Sequence, residues 1–156
     1  MRRQAGFTLI ELITVVIILG VLAAIITPRY LSMTEQARQG AAKGAAAEGV
    51  ARFYMAYGQY LVANSGVKPD TASRSFGLAT LSAPQYLNLD GGNRVNIGDY
   101  WVEYSTATAS WAGSTLDVVR VNVFLADPST KAIVTTGGPS GVTSGIWATL
   151  DAPWPQ

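Results

Sequence analysis

The chain begins with a long apolar run. Phe7 to Ile26 is 20 residues, and Glu11 is the only ionisable side chain among them. In an α-helix such a run rises about 30 Å, which matches the hydrocarbon core of a bilayer. The pattern therefore predicts a membrane-inserted helix with one carboxylate close to its start.

Helical periodicity continues after this run. Small and apolar residues recur at helical spacing as far as Asn64, which predicts an amphipathic helix. Gly40, Gly44 and Gly49 lower its helix propensity, so we expect close packing there to compensate, either on a sheet or on another helix. The positions expected on the packed face are Ala37, Ala41, Ala45, Phe53, Tyr57 and Leu61.

Pro28 separates the two patterns. It has no amide hydrogen to donate to the carbonyl of Ala24, and its ring crowds that turn of the helix. A bend or loosening is therefore expected between Gly20 and Pro28. A simple kink where the helix leaves the membrane is an equally good interpretation for the isolated chain.

The rest of the chain has the pattern of β structure. Glycine and proline predict a connecting loop over residues 65–96. Alternating residues predict strands at Asp99 to Ser105 and Gly145 to Asp151, and a hairpin at Leu116 to Thr136 that turns at Asp127 to Thr130. The expected fold class is α+β, with a long N-terminal α-helix packed on a small antiparallel sheet. One face of the hairpin is expected to carry Val119, Val121, Val123 and Leu125.

Composition narrows the chemistry. The formal charge of the 156 residues is +1, without a basic cluster, so no nucleic-acid partner is predicted. The absence of His and Cys excludes a His triad, a thiol nucleophile and the usual zinc ligands. No catalytic residues, cofactor or metal site are predicted, and the oxygen-rich segment Asn88 to Asp99 is interpreted as a turn-rich loop without the spacing of an EF-hand.

Three interpretations of the N-terminus compete. Arg2 and Arg3 before an apolar stretch fit a cleaved signal peptide, but no small-x-small cleavage site follows Ile26. An uncleaved anchor with these arginines in the cytoplasm explains the orientation but leaves Glu11 unexplained. That carboxylate either reaches the nearby headgroups or has a partner in an assembly.

The residues GFTLIE, Gly6 to Glu11, resemble the signature of type IV prepilins, which is the third interpretation. The resemblance implies that a prepilin peptidase and N-methyltransferase cuts between Gly6 and Phe7 and methylates the Phe7 amine. Glu11 and Pro28 then become the fifth and twenty-second mature residues, where the family carries a glutamate and often a proline. Glu11 is accordingly expected to be an assembly residue that neutralises the amine of a neighbouring subunit.

The resemblance also implies an organisation. Residues 1–6 are the expected cytoplasmic leader, 7–28 the transmembrane and polymerisation helix, and 29–156 the pilin head. Within the head, the expected parts are an amphipathic helix at 29–64, the loop at 65–96 and the sheet at 97–156.

The expected function is that of a structural subunit of a type IV pilus-like filament for adhesion, motility or surface attachment. The stretch after Pro28 resembles mannose-sensitive haemagglutinin-type pilins, which favours a pilus. The alternatives are a pseudopilin of type II secretion and a single-pass anchored binding module that does not polymerise.

The implied partners are further copies of the chain in a helical filament, the peptidase, membrane lipid before assembly, and an inner-membrane assembly platform with its ATPase. The implied location is the inner membrane for the precursor, with a cytoplasmic N-terminus. The assembled form is then a surface filament or a periplasmic pseudopilus.

Overall fold

The computed structural model describes residues 7–68, 76–111, 114–134 and 145–154. It divides into two compact units, Met1–Arg38 and Gln39–Gln156. Helix α1 (Leu9–Ala63) begins in the first unit and ends in the second. In the first unit α1 buries none of the described side chains, and its large apolar residues are exposed.

The second unit has an α+β fold, as the sequence predicted. Its described part contains the last turns of α1, a short second helix and five strands. These elements are α2 (Phe76–Leu81), β1 (Arg94–Ile97), β2 (Tyr100–Trp111), β3 (Ser114–Ala126), β4 (Ile133–Val134) and β5 (Ile146–Pro153).

All described strand pairs are antiparallel, and β3 is the central strand. It pairs with β2 along one edge and with both β4 and β5 along the other, while β1 extends the sheet beyond β2. The predicted hairpin is confirmed, because Leu125 pairs with Val134 across the turn that holds Asp127. The predicted last strand is β5.

The core lies between the second-unit part of α1 and the sheet. Gly49 is its closest point, since a Cβ built there would lie 2.8 Å from Val102 Cγ1 and 3.0 Å from Val121 Cγ1. The Tyr104 hydroxyl donates a hydrogen bond of 2.9 Å to the Gly49 carbonyl. The helix residues buried in this core are Ala42, Ala45, Ala46, Gly49, Phe53, Ala56 and Tyr57.

The helical face was predicted correctly at Ala45, Phe53 and Tyr57 but wrongly at its N-terminal end. Ala37 and Ala41 are exposed, whereas Ala42 is fully buried. Position 42 is about three turns before Phe53, so it shares the same face, while positions 41 and 37 are rotated about 120° and 160° away. The predicted positions therefore turn away from the buried face towards the N-terminal end of this part of α1.

Close packing holds at one of the three glycines. A Cβ at Gly40 or Gly44 would meet nothing within 4 Å, in contrast to Gly49. The expected face of β3 is also only partly correct: Val119, Val121 and Val123 are fully buried, but Leu125 is partly exposed.

The change on β3 coincides with an irregularity in strand pairing. Val123 pairs with Ala148, but Phe124 pairs with Ile146, so that Trp147 is an extra residue in β5. Such a bulge bends the strand and increases its twist. Beyond it the buried residues of β3 are Phe124 and Ala126, which are out of phase with the valines.

Strand β1 was not predicted. It lies inside the segment Asn88 to Asp99, for which the sequence pattern predicts a loop, and pairs with the start of β2 through Ile97 and Tyr100. The signal was weak because β1 has four residues and is followed by the tight turn at Gly98, whose φ is 64°. The remainder of the predicted loop contains α2, and residues 69–75 lie outside the described residues.

Candidate functional site

The start of α1 is held by a reciprocal pair of side chains. The Thr8 amide and hydroxyl both donate hydrogen bonds to Glu11 Oε2, over 2.8 and 2.7 Å. The Glu11 amide in turn donates to the Thr8 hydroxyl at 3.4 Å. A Thr followed three residues later by Glu is a capping box, which satisfies amide groups that the first helical turn leaves without partners.

Sequence reasoning singled out Glu11 but missed Thr8. The signal was present, since a Thr-x-x-Glu pattern directly precedes the apolar run. The carboxylate therefore has a role within its own chain, which neither of the two earlier interpretations of Glu11 included.

The surroundings of the Glu11 carboxylate are apolar and open. Phe7, Ile10, Thr14 and Val15 line a shallow recess next to it, and the Phe7 side chain is 86% exposed. The Thr14 hydroxyl donates to the Ile10 carbonyl at 2.7 Å, so its proton is used within the helix. The recess thus combines one acceptor carboxylate with apolar surface.

One carboxylate oxygen is left over for a further donor. Both hydrogen bonds from Thr8 end on Oε2, so the lone pairs of Oε1 remain for a group outside the described residues of this chain. A cationic N–H donor is the best match, because hydrogen bonds between charged groups are shorter and stronger than neutral ones.

The apolar run satisfies the length and composition of a membrane span. Among the described residues α1 is the one helix that does so, and its 18-residue apolar window has no share buried inside the structure. A signal sequence near the N-terminus has the same properties.

The sequence also predicted roles for Gly6, Gly20 and Pro28 in this region. Gly6 and the rest of the leader lie outside the described residues. Gly20 and Pro28 both lie within α1, and no atom outside its own helix backbone lies within 4 Å of a Cβ built at Gly20. A bend between them stays a prediction.

The oxygen-rich segment near β1 does not converge on a metal site. Asp90 Oδ1 accepts hydrogen bonds from the amides of Gly92 and Arg94, at 2.8 and 2.9 Å, and so closes a turn. Within the described parts of the chain, no three His, Cys, Asp or Glu side chains form a group that would hold a metal ion.

Comparison with known proteins identifies the N-terminal pattern. Residues 1–27 match the family model of the prokaryotic N-terminal methylation motif. The type II secretion system core protein G of Pseudomonas aeruginosa is 54% identical over 43 residues, which cover 28% of this chain and 30% of that protein.

Two further relatives are also similar to this chain over only a short segment. The type IV narrow pilus major component PilA5 of Thermus thermophilus is 54% identical over 37 residues, 24% of this chain and 32% of that protein. The core protein G of Vibrio cholerae is 51% identical over 39 residues, 25% of this chain and 27% of that protein. The chain thus spans about a third or less of the length of these relatives, and no solved structure matches it significantly.

The motif and the fold occur together in this chain. An apolar helix with an N-terminal methylation motif continues into an α+β unit in which the helix packs on an antiparallel sheet. In its N-terminal segment the chain is similar both to a type IV pilus component and to the core protein of type II secretion.

Proposed function

We propose that this chain is the precursor of a structural subunit of a type IV pilus-like filament. A prepilin peptidase removes residues 1–6 by cutting between Gly6 and Phe7, and methylates the new amine. The observation that carries this proposal is the methylation motif, followed directly by an exposed apolar helix with one carboxylate.

Cleavage before Phe7 creates a cationic amine that can pair with the Glu11 carboxylate of another subunit. A free Phe7 amine is positively charged, and methylation keeps that charge. In a filament of staggered helices, the amine of one subunit meets Glu11 Oε1 of its neighbour, while Thr8 continues to hold Oε2. Burying a pair of opposite charges between helices adds little net stability but penalises every register in which one charge is unpaired. Glu11 therefore selects the register of assembly.

The same step changes the charge of the membrane anchor. Arg2 and Arg3 are lost with the leader, which takes the formal charge from +1 to −1. The proposed precursor spans the inner membrane with the leader in the cytoplasm, as the positive-inside rule requires. Residues 7–28 then form the polymerisation helix, with residues 29–156 as the head. An inner-membrane platform with its ATPase drives extraction.

The test has two readouts. Intact mass and N-terminal sequencing of the native protein should give a methylated Phe7, and a retained Met1 would contradict the whole proposal. Glu11→Gln should still be processed but should accumulate unassembled in the membrane. The matched control is Glu35→Gln, which removes an acid of the same helix beyond the apolar run and should assemble as the unmodified chain does.

A pseudopilin of a type II secretion system is the second candidate, favoured by the similarity to core protein G of several organisms. Deleting the gene separates the two functions. Loss of surface filaments with normal enzyme secretion supports the pilus, and the reverse result supports the pseudopilus. A non-polymerising anchored module predicts neither defect and an uncleaved leader.

A further inference from the structure

A basic and aromatic pair, Arg29 and Tyr30, lies near the end of the apolar helix surface of the first unit. Both side chains are exposed, and Tyr30 keeps 65% of its surface accessible. Apolar exposure continues for one more turn through Leu31 and Met33, at 63% and 67%. The pair therefore lies within the last part of the apolar surface, before the more polar helix that follows.

Its position along the helix matches one layer of a bilayer. If residues 7–26 fill the hydrocarbon core, Arg29 and Tyr30 lie about 4.5 and 6 Å beyond its edge at 1.5 Å per residue. The headgroup layer of each leaflet is about 5 to 7 Å thick. Arg38, the next basic residue, lies about 18 Å beyond the edge and thus outside this layer.

The chemistry of the pair matches that layer too. A guanidinium donates two parallel hydrogen bonds to phosphate oxygens, and a tyrosine ring takes the boundary between acyl chains and water. The neighbouring hydroxyls are engaged within the helix, since Thr27 donates to the Ala23 carbonyl and Ser32 to the Arg29 carbonyl. Thr27 and Ser32 thus use their hydroxyl protons within the helix, whereas Arg29 and Tyr30 are exposed and carry donors that can bind lipid.

We propose that Arg29 and Tyr30 dock on the phospholipid headgroups of the leaflet opposite the leader and so fix the depth of the helix. The proposal rests on the proposed membrane insertion of the precursor. Charge complementarity carries the choice of partner, because the headgroup layer presents phosphate anions at the level of the one arginine in this stretch. Maturation removes Arg2 and Arg3 and leaves this second anchor in place, so extraction must still break it.

Removing the pair has a predictable geometric effect. The apolar surface extends to Met33, so the helix is then free to slide until Met33 reaches the hydrocarbon edge. Met33 is seven residues beyond Ile26, the residue at that edge, so the slide is about 10.5 Å at most. In Arg29→Gln/Tyr30→Leu, residue 22, which starts about 6 Å inside that edge, should therefore end closer to the bilayer centre.

The chain has no cysteine, so a single introduced thiol is a unique label. The full chain carrying Leu22→Cys is spin-labelled and reconstituted in phosphatidylcholine vesicles, and label depth is read from collisions with oxygen and with a water-soluble nickel complex. Leu22 is seven residues from Arg29, so the label does not contact the changed residues. Arg38→Gln is the matched control, with the same loss of charge outside the headgroup layer.

A deeper label in the double variant, with no shift in Arg38→Gln, supports the anchor. An unchanged depth in the double variant, or an equal shift in the control, overturns it. A label at Val15 in the unmodified chain separates the two proposals. If it is shielded from the nickel complex, membrane insertion stands whatever the anchor does, and if it is accessible, both proposals fail.

Discussion

Gly49→Ala tests the closest approach between α1 and the sheet. The new methyl would meet Val102 Cγ1 at 2.8 Å and Val121 Cγ1 at 3.0 Å. Both valines are fully buried, and β-branched side chains have few alternative rotamers. The helix and the sheet must therefore separate locally to accept the substitution.

The magnitude follows from two opposing effects. Overpacking a filled core costs about 1 to 3 kcal/mol, and the stiffness of two valines places this site in the upper half of that range. Replacing a helical glycine by alanine returns about 1 kcal/mol of helix propensity. The net loss of stability is therefore about 1 to 2 kcal/mol.

Gly44→Ala is the matched control, because its Cβ meets nothing within 4 Å. It should raise stability by about 1 kcal/mol from propensity alone. Urea unfolding of the full chain in detergent reports the second unit through tryptophan fluorescence, since all four tryptophans lie after residue 100. Equal stability of the two alanine variants would refute the close-packing argument.

Three further predictions concern single side chains. Burial raises the pKa of Tyr104 to about 12, so the free energy of unfolding should stay constant up to about pH 10 and fall from there to pH 12. The fall should be smaller in Tyr104→Phe, where only the raised pKa of the Tyr57 hydroxyl contributes among these two tyrosines. The hydrogen bond from Arg120 lowers the pKa of Asp151, so Asp151→Asn should cost about 0.5 to 1 kcal/mol at pH 7 and nothing at a pH where that carboxylate is protonated. Thr8→Val should speed amide exchange in the first turn of α1, whereas Thr8→Ser should preserve the Glu11 box, as hydrogen exchange would show.

The parts of the fold that the sequence predicted are those with long, regular patterns. The helix, the hairpin and the last strand each rest on several residues at one period. The errors are local. The phase of β3 changes at a bulge, and pairing between distant strands, which creates the bulge at Trp147, leaves no periodic signal in either strand alone.

The candidate site was predicted in part for a comparable reason. Glu11 was conspicuous because a lone acid in an apolar run needs an explanation. Thr8 was overlooked because a hydroxyl in the same run needs none, although the pair forms a local motif that sequence spacing reveals. The different roles of Gly44 and Gly49 depend on which residues of the sheet meet the helix, and neighbouring sequence carries no information on that.

Pro153 and Trp154 connect the end of β5 to α1. Trp154 lies against Phe53 with ring centroids 5.3 Å apart, and its amide donates to the Asp117 carbonyl. The Tyr54 hydroxyl donates to the Pro153 carbonyl at 3.0 Å. The contacts that hold Pro153 and Trp154 thus come from two adjacent residues of α1. Since these contacts join β5 to the helix as well as to β3, loss of either aromatic side chain on α1 should loosen the last strand before the rest of the sheet.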